Sequence, residues 1–265
     1  MIPMRLNKIQ MSPVTPATIM LAATFLAVGC NRAPNRSDSL EDAAYRLSGF
    51  FVKDVNRYSC HSEVALWRED STLATADILF GDDTLTYLDD VYQMTVVPES
   101  VYPESSYYLQ IRDSSLYRDS VEAYVADTFS IGITVPPNRE NPGGTEMLLT
   151  WTGSLTADGY VVATVPRYMA YHAHGYSAWV SNQSTTETIP PGAFRWSDGI
   201  NPDTGWYFVY VYAYTGVPDS SLSAGMLPVP MPGQPPDNID RERLTGCFGA
   251  VTVALRDSVH VTVLQ

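Results

Sequence analysis

His172 and His174 stand two residues apart in Tyr171-His172-Ala173-His174-Gly175. On a strand that spacing puts two imidazoles on one face, where they would offer nitrogen ligands to zinc or copper. A metal centre needs more ligands, and only His61, His260 and scattered carboxylates remain. Two surface or loop histidines are the plainer reading, and no metal or cofactor is expected. Gly81-Asp82-Asp83, Asp89-Asp90 and the segment Asp198-Gly199-Ile200-Asn201-Pro202-Asp203 hold the hard oxygens calcium prefers, without the ligand spacing of a calcium loop. Asp, Asn, Gly and Pro are also the residues that turns require. The chain has no G-x-S-x-G elbow, no H-E-x-x-H, no phosphate-binding glycine loop and no cysteine with a clear histidine partner. An enzyme is therefore not expected. The alternative is a surface hydrolase acting on polysaccharide or peptide, its triad or carboxylate pair assembled from distant positions.

Composition narrows the scaffold that must carry these groups. The 265 residues include 19 prolines, 17 glycines and 17 tyrosines, are only 17% charged, and have a formal net charge of −13. Such acidity, without a Lys/Arg cluster, excludes a nucleic-acid binder. So many prolines argue against a coiled coil or helical repeat. With 45% hydrophobic and 11% aromatic residues, the chain can bury enough apolar surface to offset the entropy lost on ordering.

The first 29 residues are of another kind. Arg5 and Lys8 are the only charges before Cys30, and Ile19 to Gly29 is an unbroken apolar and small-residue run, too short to span about 30 Å of hydrocarbon as a helix. Residues 1–29 thus read as an export signal. Its exit, Leu26-Ala27-Val28-Gly29-Cys30, resembles the lipobox of bacterial lipoproteins. The resemblance implies that the Cys30 sulfur takes a diacylglycerol, that the signal is cut before it, and that the new N-terminus is acylated with a fatty acid such as palmitate. Asn31, where an Asp would retain the protein in the inner membrane, implies the outer membrane as destination, on its periplasmic or its exposed side. Several acyl chains hold a protein on a membrane without a spanning helix.

Cleavage removes two basic residues and no acidic one, so the charge of −13 becomes −15, and Lys53 is then the sole lysine. Polybasic attraction to anionic lipid is not the anchor. Once Cys30 is lipidated, Cys60 and Cys247 form an even pair in an oxidising compartment. They are either a disulfide joining the two ends of the folded region or two separate buried thiols.

Residues 30–57 read as the lipidated cysteine, a polar tether, and a short helix in which Leu40, Ala44, Leu47 and Phe51 follow Ser39 at helical spacing. From about residue 62 the period is two. Val64, Leu66, Ile78, Phe80, Leu85, Tyr87, Tyr92, Met94 and Val96 recur in short runs broken at Glu69-Asp70-Ser71, Gly81-Asp82-Asp83, Asp89-Asp90 and Pro98. Strands at such intervals predict an antiparallel sandwich over 58–127. A second domain is expected over 128–265, ending in a hairpin of Phe248 to Leu255 and Ser258 to Leu264.

Within that second domain Met147-Leu148-Leu149-Thr150-Trp151 resembles strand B of a fibronectin type III domain, Gly159 to Ala163 its strand C, and Tyr207 to Ala213 its strand F. In strand F, Tyr207, Val209, Val211 and Ala213 match the family's inward Y-x-V-x-V-x-A face. The resemblance implies that Tyr207 is the tyrosine-corner residue, its hydroxyl bonded to upstream backbone. A proline-rich insertion at about 216–245, containing Met226-Leu227-Pro228-Val229-Pro230-Met231-Pro232, departs from the family. If the matched face points inward, Trp206, Phe208, Tyr210, Tyr212 and Tyr214 point outward. A row of outward aromatics calls for cover. The cover is either another part of the chain, such as the first domain or the proline-rich insertion, or an external ligand.

The fold expected is all-β, two antiparallel β-sandwich domains, the second fibronectin type III-like and so immunoglobulin-like. The order of lipobox, small sandwich, fibronectin-like unit and closing Gly246-Cys247-Phe248-Gly249-Ala250 resembles a family of bacterial surface lipoproteins of unknown function, often found beside outer-membrane transporters. The resemblance implies a membrane-anchored, non-catalytic binding or assembly module whose partner is an outer-membrane protein or a carbohydrate, with the aromatic row as its candidate surface.

Overall fold

Leu109, Ile111 and Asp113 point inward along one strand while Tyr108 and Arg112 point to solvent, and Val121, Ala123 and Val125 repeat the pattern on the next. Aromatic and β-branched residues alternating in this way specify a sheet with one buried face. The computed structural model describes residues 44–96, 101–102, 104–114, 117–168, 175–233 and 237–264, all within one compact unit. The segment expected to be a signal, Cys30 and the expected tether to residue 43 lie outside the described residues, as do His172 and His174. No helix of the described residues is long and apolar enough to cross a membrane.

The described chain is all-β. Its first half holds β1 (Tyr45–Asp54), β2 (Ser59–Arg68), β3 (Ser71–Thr72), β4 (Asp77–Phe80), β5 (Asp83–Thr84), β6 (Thr86–Leu88), β7 (Val91–Val96), β8 (Ser105–Asp113) and β9 (Tyr117–Val125). Its second half holds β10 (Ile131–Val135), β11 (Glu140–Pro142), β12 (Met147–Trp151), β13 (Gly159–Pro166), β14 (Tyr176–Ser181), β15 (Thr186–Ile189), β16 (Gly205–Gly216), β17 (Ile239–Asp240), β18 (Leu244–Val253) and β19 (Asp257–Thr262).

One large sheet runs β11-β19-β16-β18-β1-β2-β7-β6, with β13 and β14 continuing from β16. A four-stranded sheet, β5-β4-β8-β9, encloses the first core with β1, β2, β7 and β18, and a three-stranded sheet, β10-β12-β15, encloses the second with β13, β16 and β19. In the second half the order β10-β12-β15 against β14-β13-β16-β19 places the strands resembling B, C and F where a fibronectin type III-like sandwich has them. Two pairings, β1 with β18 and β11 with β19, are parallel rather than antiparallel. Parallel neighbours need a long crossover; for β1 and β18 nearly the whole chain supplies it.

Three expectations change. The expected short helix, in its described part, is instead strand β1, from Tyr45 on; its first residues, Leu40 to Ala43, lie outside the described residues. Leu47 and Phe51, four apart, share a face in either conformation; the strand prevails because Phe50 and Val52 are buried on the other face as well. The closing hairpin is absent. β18 and β19 both pair with β16, through Val253 with Tyr212 and Asp257 with Val209, so four steps on one side meet three on the other. They form one run along the same side of β16 carrying an inserted residue, as in a bulge. Finally, Ile239, Leu244, Phe248 and Ala250, within the expected second domain, pack in the first core together with β1 residues from the expected tether. The two sandwiches are thereby stitched through β18.

Candidate functional site

β16 carries the alternation read from its sequence. Tyr207, Val209, Val211 and Ala213 are buried in the second core, and the aromatic row lies on the opposite face of the large sheet. That row is not an open surface. Tyr210 is 4% and Tyr212 0% exposed, Phe208 and Tyr214 are half-buried, and only Trp206, at 40%, reaches solvent to any extent. Phe208, Tyr210, Tyr212 and Tyr214 pack with Phe50, Val52, Val161, Ala163, Val251 and Val253 under Leu227 and Met231 of the proline-rich segment. The expected binding surface is thus filled by the chain itself.

The reason is local. Pro228, Pro230 and Pro232 hold the segment extended and remove amides a sheet ladder would need. Leu227, Val229 and Met231 alternate with them and meet the aromatics as a strap. The Val229 N–H donates to Tyr212 Oη at 3.0 Å, Tyr212 Oη donates to Val229 O at 3.3 Å, and Ser177 Oγ donates to Pro230 O at 3.1 Å. Burial pushes the Tyr212 hydroxyl pKa far above the ordinary tyrosine value, so the phenol stays protonated. At the strap's start Asp219, 6% exposed, accepts the amides of Ser221 and Leu222 at 2.7 and 3.0 Å, the Ser221 hydroxyl at 2.6 Å, and the hydroxyl of Ser48 on β1. Burial raises the Asp219 pKa, but the hydrogen bonds from Ser221, Ser48 and Leu222 outweigh it and hold the carboxyl below its ordinary range. The sequence reading missed this group, although Asp219-Ser220-Ser221-Leu222 is a local capping signature.

Tyr207 occupies the tyrosine-corner position, but its hydroxyl donates to the Asp203 carboxylate at 2.9 Å rather than to backbone. Cys60 and Cys247 are buried and are not joined to one another. Cys247 sits opposite Ser48 and Cys60 opposite Lys53, on the two sides of β1 and five residues apart along it, roughly 16 Å. A disulfide needs Cα atoms within about 7 Å. Cys60 also faces the first core, while Cys247 Sγ faces the Ser48 hydroxyl at 3.3 Å.

The acidic turns serve the backbone. Asp89 and Asp90, both at positive φ, form the two-residue link between β6 and β7, and Asp198 Oδ1 accepts the amides of Ile200 and Asn201. Among the described residues no group of three His, Cys, Asp or Glu side chains is placed to hold a metal. His260 Nδ1 lies 3.1 Å from Glu140 and its ring stacks on Trp206 with centroids 4.8 Å apart. His61 lies between a hydroxyl and a carboxylate, with Nδ1 2.9 Å from Thr95 Oγ1 and Nε2 3.0 Å from Glu63 Oε1. Beside it a cleft of about 140 Å³ is lined by Val52, Asp54, Arg57, Ser59 and Met226.

The outward face of β8 and β9 is left uncovered, with Tyr108, Arg112, Arg118 and Glu122 exposed. A shallow cavity of about 440 Å³ opens there, lined by Tyr108, Gln110, Arg112, Arg118, Asp119 and Ser120, with Tyr108 49% exposed.

No protein-family model matches the chain, and no curated protein matches it. Among solved structures it is similar to the FN1–FN3 domains of chicken CNTN1, at 15% identity over 64% of this chain and 58% of that one, with a TM-score of 0.27. It therefore spans less than two thirds of that structure. It is also similar to Dpr11 IG1 bound to DIP-gamma IG+IG2, at 9% identity over 84% of this chain and 100% of that one with a TM-score of 0.23. DIP-gamma IG1+IG2 aligns at 10% identity over 84% of this chain and 99% of its own, with a TM-score of 0.21. The fibronectin type III-like character of the second half rests on its own strand order.

Proposed function

We propose that the protein is a lipid-anchored, extracytoplasmic and non-catalytic binding or assembly module of the bacterial outer membrane, engaging an outer-membrane protein or a glycan. The lipobox-like Leu26 to Cys30 supports the anchor. The observation that carries the binding role is the uncovered outward face of β8 and β9, a polar sheet surface with an exposed tyrosine held on a rigid two-core scaffold. Aromatic and hydrogen-bonding groups on a firm sheet face present contact area at little entropic cost.

Two measurements test the two halves of this reading. Labelling with a palmitate analogue is expected in the wild type and absent in Cys30→Ser; label retained by the variant rejects the anchor. A pull-down from detergent-solubilised membranes is expected to retain a partner with the wild type and lose it with Tyr108→Asp combined with Glu122→Lys. No partner, or one indifferent to those changes, rejects the face.

A second reading, a surface hydrolase, is favoured by the Thr95, His61 and Glu63 row beside the 140 Å³ cleft, since a hydroxyl, a base and an orienting carboxylate are the parts of an activated nucleophile. Ester or peptide turnover abolished in both Thr95→Ala and His61→Gln would support it; no turnover, or turnover unchanged in either, excludes it.

A further inference from the structure

Arg112 and Arg118 are directly opposite each other on β8 and β9. Both point away from the core and are exposed. Cross-strand partners bring Cβ atoms to within about 5 Å, and like charges there repel. Every other described arginine is engaged. Arg57, Arg68, Arg139 and Arg241 pair with Asp54, Asp113, Asp257 and Asp119. Arg46, Arg167, Arg243 and Arg256 lie over aromatic rings, and Arg195 donates to the carbonyls of Gly144 and Gly199. Arg112 reaches only the neutral Gln110 side chain, at 2.6 Å, and among the described residues Arg118 has no carboxylate, ring or carbonyl partner. On a chain of net charge −13, two adjacent guanidiniums that form no ion pair, although Asp77 lies across from Arg112 on β4, mark a place for an external acid.

Two more features define that acid. Along β8 from Arg112 come Gln110 and then Tyr108, all on the same face, with Tyr108 about 13 Å from Arg112 at strand rise. Across from them stand Ser120 and Glu122. The row therefore runs from a pair of cations, through amide and hydroxyl groups, to an exposed aromatic ring beside an acid. Planar guanidinium forks match a carboxylate in a bidentate manner. Hydroxyls suit Gln110 and Ser120, and a ring face stacks on Tyr108. Glu122 at the far end repels a second carboxylate, while Asp77, cross-strand from Arg112 on β4, offsets part of that arginine's charge without an ion pair to it. Asp119 is already held by Arg241.

We propose that the outward face of β8 and β9 binds a saccharide ending in a uronic acid, with the carboxylate between Arg112 and Arg118 and a neutral sugar ring on Tyr108. The proposal rests on the reading of this face as the binding surface and names its ligand class. Because the protein as a whole repels anions, the attraction is local; screening over about 8 Å at physiological ionic strength removes the distant repulsion more than the contact pairing.

Calorimetry on the full mature lipoprotein in nonionic detergent, with a glucuronate-terminated trisaccharide, its glucose-terminated counterpart and inorganic phosphate as probes, tests this. The uronate is expected to bind. Arg112→Gln and Arg118→Gln should each weaken it about tenfold, as loss of a charge-assisted hydrogen bond does, and the neutral sugar should bind no better than the double variant binds uronate. Circular dichroism should be unchanged, since both side chains are in solvent. Equal binding of neutral sugar, phosphate binding as tight as uronate, no uronate binding, or indifference to both arginine variants each overturns the proposal. A membrane partner lost with Tyr108→Asp and Glu122→Lys but retained with both arginine changes would leave the binding face standing and remove only its uronate ligand.

Discussion

The Tyr212 hydroxyl both accepts the Val229 amide and donates to the Val229 carbonyl, so one phenol on β16 closes the proline-rich strap over the aromatic row. Tyr212→Phe leaves both Val229 groups without that partner. We expect a loss of about 1–3 kcal/mol and faster amide exchange at Val229 than at the β13 amides, read by urea midpoint and hydrogen exchange. Replacing both Tyr210 and Tyr212 by Ser should cost the folded state itself, because the row is packing and not an exposed contact; a folded double variant of unchanged midpoint would show the strap to be dispensable.

Asp219 sets an acid limit. Its folded-state pKa lies below the ordinary value, so its contribution is complete above about pH 4, the unfolded Asp value, and drains as pH falls through the depressed folded value. Asp219→Asn is expected to lower the urea midpoint at pH 7 and to narrow the gap from wild type as pH drops below 4. A gap constant from pH 7 to pH 3 would contradict the assignment.

The alkaline limit has the opposite sign. Burial, followed by the Asp113 carboxylate, raises Tyr45 to about 12, and burial, followed by Glu187, raises Tyr176 to about 12. Groups with raised folded values stabilise fully below the unfolded value of about 10 and lose that contribution as pH climbs toward 12. The midpoint should fall between pH 10 and 12, and Tyr176→Phe should flatten part of that fall.

Cys60 and Cys247 sit on opposite sides of β1 and toward opposite faces. The Cys30→Ser chain should therefore titrate two thiols in denaturant under non-reducing conditions, and dithiothreitol should leave its Tm unchanged. Zero thiols, or a Tm drop on reduction, would mean the pairing of β1 with its neighbours is wrong.

Strand alternation was legible without coordinates because it is local. Val209 and Tyr210 differ in face by one peptide, whatever surrounds them. The inward set of β16 and the turn character of Asp89-Asp90 follow from that alone. Helix and strand could not be told apart over Tyr45–Asp54, because Leu47 and Phe51 fit both periods and only burial of Phe50 and Val52 between β2 and β18 decides. Arg112 and Arg118 were invisible as a pair, since their register depends on how β8 and β9 join.

By itself the sequence determined an acidic, all-β chain and a fibronectin-like strand F bearing two apolar faces. Tertiary structure alone decided what covers each face: the three-stranded sheet on one side, and on the other the chain's own proline-rich strap. It likewise separated the cysteines and drew the C-terminal strand β18 into the first core. The physical reason is range. Alternation and turn chemistry act between residues a few peptides apart, whereas the occupant of a face is settled by segments tens to hundreds of residues away, and no local pattern names them.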